Sequence, residues 1–100
     1  MSSYLADFNK VFESRVRLGM MSLLVVQEKV DFGQIKENLE LSDGNLASHM
    51  AALEKIGFVE VCKQFIGKKP NTTYAITAQG RAAFLEHLTS LEKLIKQIQS

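Results

Sequence analysis

The apolar spacing of this chain switches from helical to alternating at Gly57, and back to helical at Thr77. A helix buries a stripe of period about 3.6 and a strand buries one face at a period of 2, so this pattern implies helices, then a hairpin, then a helix. Four helices are predicted before Gly57. Ser2 and Ser3 cap a short first one carrying Leu5, Phe8, Val11 and Phe12. Ser14 caps a second that runs to about Gln27 and turns Val16, Met20, Leu23 and Leu24 inward. After a short extended piece at Val30, Asp31 caps a third, with Gln34 completing a capping box. Ile35 and Leu39 form its inner side, and Gln34, Lys36, Glu37 and Asn38 its outer side.

Leu41 and Ser42 make a tight break. Ser42 caps the fourth helix, Asp43 suits its first turn, and Gly57 stops it just past Ile56. Leu46, Met50, Leu53 and Ile56 are its apolar side. The opposite side offers Asn45, Ser48, His49 and Ala52, which are small or hydrogen-bonding rather than the Glu/Lys mixture of an ordinary solvated face. A strand is predicted over Phe58–Ile66, with Val59, Val61 and Phe65 on one face. Gly67–Asn71 reads as a turn and Thr72–Ile76 as a second strand, giving an antiparallel hairpin. Thr77 then caps a final helix to about Ile98, whose stripe of Phe84, Leu88, Leu91, Leu94 or Ile95, and Ile98 outruns what a chain this short needs to close its own core.

Composition excludes several classes. The chain has 100 residues, 46% of them hydrophobic, enough for one modest core. No apolar run nears the roughly 20 residues of a membrane span, and the N-terminus lacks the basic-then-apolar pattern of a signal peptide. One cysteine, Cys62, allows neither an internal disulfide nor a cysteine metal cage, so a reduced, cytoplasmic protein is expected. His49 and His87 lie too far apart in sequence to make a metal motif, and His87 is expected at the surface or in an interface. The chain carries no glycine-rich phosphate loop, Gly-x-Ser-x-Gly or His-Glu-x-x-His, so neither an enzyme nor a cofactor is expected. Net charge is +1, so any case for nucleic acid rests on where the charges lie.

The order of elements, with two helices about a tight turn followed by a lysine-tipped hairpin, is the winged helix-turn-helix pattern. The fold class expected is mainly α (α+β), with residues 1–100 as one DNA-binding unit and residues 1–13 and 77–100 as terminal helices for dimerisation. A helix of this length spans about 21 Å and fits the major groove of duplex DNA. The segments LSDGNLASHMAALEKIGFVEV (41–61) and FIGKKPNTTYAITAQGRAAF (65–84) resemble the recognition helix, wing and last-helix cap of MarR/ArsR-like winged-helix transcriptional regulators. The resemblance covers roughly residues 9–90. It implies that Asp43, Gly44, Asn45, Ser48 and His49 face the groove, that Lys68 and Lys69 form the wing tip, and that the terminal helices dimerise. It departs from metal-sensing members, whose paired cysteines this chain lacks, so no metal site is expected.

The expected function is sequence-specific binding of double-stranded DNA by a homodimer that regulates transcription as a repressor. Arg15 and Arg17, at the start of the second helix, are further candidates for phosphate contact. Leu5, Phe8, Leu88, Leu91, Leu94, Ile95 and Ile98 are the candidate dimer interface. Blander readings stand beside these: Asp43 as a partner of the helix dipole, Lys68 and Lys69 as turn solubilisers, and Cys62 as an inert thiol. Two alternatives remain open. One is a protein-binding winged helix without DNA, and the other a switch answering an unidentified small-molecule effector.

Overall fold

The computed structural model describes residues 9–99. Elements follow in the order α1 (Arg15–Gln27), β1 (Lys29–Asp31), α2 (Phe32–Leu39), α3 (Asp43–Lys55), β2 (Val59–Ile66), β3 (Lys69–Ile76) and α4 (Ala78–Gln99), with a 3-10 turn at Lys10–Glu13 ahead of α1. The N-caps read from sequence at Ser14, Asp31 and Ser42 are all in place. Ser14 accepts from the Arg17 N–H, and Ser42 from the Asn45 N–H. Asp31 accepts from the Gln34 N–H while the Gln34 side chain accepts from the Asp31 N–H, closing the capping box. Gly57 takes φ +84°, the left-handed conformation that ends α3.

At the start of the described chain the expectation needs correcting. Val11 and Phe12 lie in the 3-10 turn, capped by Asn9, and not in an α-helix. Leu5 and Phe8 lie outside the described residues. The turn has a clear role: Phe12 is buried, stacks on Phe58 at 5.8 Å and meets Phe84 edge-on at 5.4 Å. It thereby ties the start of the described chain to the hairpin base and to α4.

The hairpin differs in two ways from the expected one. Its turn is only Gly67 and Lys68, because β3 begins at Lys69, which pairs with Ile66. The sheet also has three strands, in the order β1-β3-β2. Val30 of β1 and Val61 of β2 both stand opposite Tyr74 of β3, making one row across the sheet that faces the core. That core joins Met20, Met21 and Leu24 of α1, Ile35 of α2, Leu46, Met50 and Leu53 of α3, and Phe84 of α4. β1 covers β3 only at Thr73–Ala75, so the outer half of the hairpin projects as two strands.

α4 is set by one close approach. The Thr77 hydroxyl accepts from the Gly80 N–H and donates to the Gly57 carbonyl, capping α4 as predicted. Gly80 is buried against the Phe58 backbone, and a Cβ there would run into the Phe58 carbonyl oxygen. No helix among the described residues is long and apolar enough to cross a membrane.

Candidate nucleic-acid interface

α3 presents its polar side outward because Leu46, Met50 and Leu53 are buried beneath it. At 100° per residue, the line opposite those three runs through Gly44, Ser48, Ala51 and Lys55. All four are exposed, as are Asp43 and Asn45. Ala47 and Ala51, which are not singled out by the sequence pattern, are exposed as well. From Asp43 to Ala51 the outer surface of α3 is therefore built from short side chains that let another molecule approach its backbone closely, with the longer Lys55 beyond them. Ala52, read as outward, is half-buried, and Ile56, read as inward, is 39% exposed, because the helix ends at Lys55. Asp43 is ion-paired with Lys36 of α2 at 2.7 Å, which braces the two helices across the tight break.

Two sequence candidates meet on the α1 side. The Arg17 Nε–H donates to His49 Nδ1 at 3.1 Å, joining the first turn of α1 to the middle of α3. Both side chains are half-buried, whereas Arg15, at the first position of α1, is exposed. His49 is thus held by the fold rather than loose on the surface.

On the other side α3 meets the hairpin. Ala47, Ala51 and Glu54 of α3, Val61 and Lys63 of β2, and Tyr74 of β3 line an open hollow between them. Burial, and secondarily the Glu54 carboxylate, raise the Tyr74 phenol above its ordinary range, so it stays protonated. Lys68 sits at the hairpin tip and Lys69 begins β3, both exposed. Residues 61–76 hold three lysines, Lys63, Lys68 and Lys69, and no carboxylate. A chain of net charge +1 thus concentrates positive charge on this arm. Phe65 follows the register read from sequence but is 73% exposed, because the core ends before it.

The remaining candidates fall elsewhere. Leu88, Ile95 and Ile98 of α4 are exposed, while Leu91 and Leu94 are half-buried. His87 is not a surface residue. It is buried, accepts at Nδ1 from the Asn9 N–H at 3.2 Å, and packs on Phe12. Cys62 is exposed on β2. Among the described residues no group of three or more His, Cys, Asp or Glu side chains could hold a metal.

Comparison with known proteins agrees with this geometry. The chain is 40% identical over 90 residues to an uncharacterised protein of Methanocaldococcus jannaschii, covering 90% of this chain and 98% of that one. It is similar in structure to a transcriptional regulator homologue from Pyrococcus horikoshii OT3, at TM-score 0.80 and 32% identity, covering 97% of this chain and 98% of the other. The fold also matches NadR, solved in complex with 4-hydroxyphenylacetate, at TM-score 0.74 and 18% identity over 96% of this chain and 67% of that one. The resemblance to MarR/ArsR-like winged-helix regulators read from residues 41–61 and 65–84 is borne out. Residues 16–95 match the winged helix DNA-binding domain family, and the chain belongs to it.

Proposed function

We propose that this protein binds double-stranded DNA as a homodimer and regulates transcription, acting as a repressor by occluding a promoter. One observation carries the reading. The outer face of α3 is exposed, short in side chain, and set between Arg17 and a lysine arm free of carboxylates. In this reading α3 enters the major groove, Asn45, Ser48 and His49 reach base edges, and Gly44 allows close approach. Arg15, Lys68 and Lys69 contact phosphates. Asp43, in the first turn of α3 and paired with Lys36, acts in this reading on the helix dipole rather than on DNA.

The dimer is proposed from α4. Leu88 and Ile95 lie seven apart on one side of a 22-residue helix, 38% and 52% exposed, with Ile98 one turn beyond. Residues 1–13 and 77–100 supply the interface and the whole chain acts as one unit, in the cytoplasm with the DNA it regulates. Selection of bound duplexes from a random pool, at a stated salt concentration, tests the reading. The expected result is an imperfect inverted repeat with half-sites about 34 Å apart. No enrichment at any salt overturns it, and capture of a protein partner instead favours a protein-binding winged helix, for which the exposed Phe65 and Ile66 would be the anchor.

A further inference from the structure

We propose that Arg17 fixes the tautomer of His49 so that Nε2 carries the proton, and that this N–H reads an acceptor on the major-groove edge of guanine or thymine. The inference rests on the DNA-binding reading above and deepens it by naming the base chemistry and the residue that imposes it.

The chemistry follows from the 3.1 Å bond between Arg17 Nε and His49 Nδ1. A guanidinium has only donors, so the nitrogen it meets must be a lone pair. A neutral imidazole carries one N–H, which must then sit on Nε2, across the ring from Arg17. The half-buried His49 beside exposed Asn45 and Ser48 therefore offers an N–H and no lone pair at the ring nitrogen that Arg17 leaves free. In the major groove guanine presents N7 and O6 and thymine presents O4, all acceptors. Cytosine presents only an amino donor and adenine sets one beside its N7, so both are worse partners for an N–H. Arg17 is thus a positioning residue whose effect on selectivity passes through the His49 tautomer. This is separate from any contact its charge makes with phosphate.

Two measurements on the full chain test this. The first needs no DNA. Long-range nitrogen–proton correlation NMR at about pH 8, where a free imidazole is neutral, reads the tautomer of His49 directly. The wild type should show a protonated Nε2 and a bare Nδ1, and Arg17→Met should move His49 towards a mixture. A wild-type ring protonated at Nδ1, or averaged between the two forms, overturns the inference and requires no variant to fold. The second uses the selected duplex and its single-base-pair variants. His49→Ala should cut the preference for guanine or thymine at one position per half-site by about five- to 150-fold. Arg17→Met should relax the same position, and the double variant should relax it no further than His49→Ala alone. If either single variant weakens all sequences equally and leaves that preference intact, the contact is to phosphate and the base reading is overturned. Failure of the wild type to bind any duplex instead sinks the DNA-binding reading itself, and the base contact with it.

Discussion

Several positions in this chain are held to one residue type by a contact or a dihedral that can be named. Gly80 has no room for a Cβ because the Phe58 carbonyl occupies that place. Gly80→Ala must push the first turn of α4 off the hairpin base, and is expected to cost at least about 2 kcal/mol in urea unfolding. Thr77 holds the same junction by a different means, with one hydroxyl bonded to both Gly80 and Gly57. Thr77→Ala should destabilise by about 1–2 kcal/mol, and Thr77→Ser, which keeps both bonds, by much less. Glu40 is the opposite case. It sits exposed at φ +52°, capping α2 in a conformation that disfavours any side chain. Glu40→Gly should therefore raise stability by roughly 0.5–1 kcal/mol, unlike most changes to glycine. Thermal or urea melts of these variants check all of this.

Among the elements, α3 and the hairpin divide the work. α3 is held by Leu46, Met50 and Leu53 beneath it and by its Ser42 cap, so its outer residues are free to vary. The Lys36–Asp43 pair adds little stability, since both side chains are largely exposed and such pairs contribute about 0–1 kcal/mol. The hairpin is held at its base by β1 and the Val30–Tyr74–Val61 row, and its outer half contributes little to the core. Lys68→Ala with Lys69→Ala should accordingly leave the melting temperature nearly unchanged. The same pair should weaken binding to every DNA sequence, and reduce the slope of log affinity against log salt by about 0.9 for each phosphate that is no longer neutralised. Affinity measured between low and moderate salt decides this, and an unchanged slope would remove the hairpin from the interface.

At the scale of the molecule, the shape departs from a sphere. The extents are 57 × 24 × 21 Å and the radius of gyration is 15.3 Å, against about 13 Å for a compact chain of this length. α4, about 33 Å long, contributes to that elongation and bears Leu88, Ile95 and Ile98 on its surface. Leu88→Glu with Ile95→Glu should be tolerated within one chain, since both side chains already meet solvent. In the proposed dimer the four introduced carboxylates would displace apolar contacts worth about 1.5–3 kcal/mol each. Sedimentation should then report the monomer mass with helix content retained, and binding to an inverted repeat should fall by orders of magnitude. A wild-type chain that already sediments as a monomer at micromolar concentration would refute the dimer.

The amino-acid sequence by itself determined what depends on neighbours within a turn or two. Asp31 with Gln34, Ser14, Ser42 and Thr77 each cap a helix through a bond spanning three residues. The Leu46–Met50–Leu53 stripe and the alternation after Gly57 are local in the same sense, and they sufficed for the element order and the winged-helix pattern. Only the tertiary structure decided what depends on residues far apart in the chain. β1 becomes a strand because β3 lies beside it, the Asn9 N–H finds His87 across 78 positions, and Arg17 finds His49 across 32. No window of sequence contains both partners of such a bond, and a short piece such as Lys29–Asp31 has no period of its own to betray it. Hence the chain's helices could be read one by one, while the setting of His49 and the burial of His87 emerged only once those helices had packed.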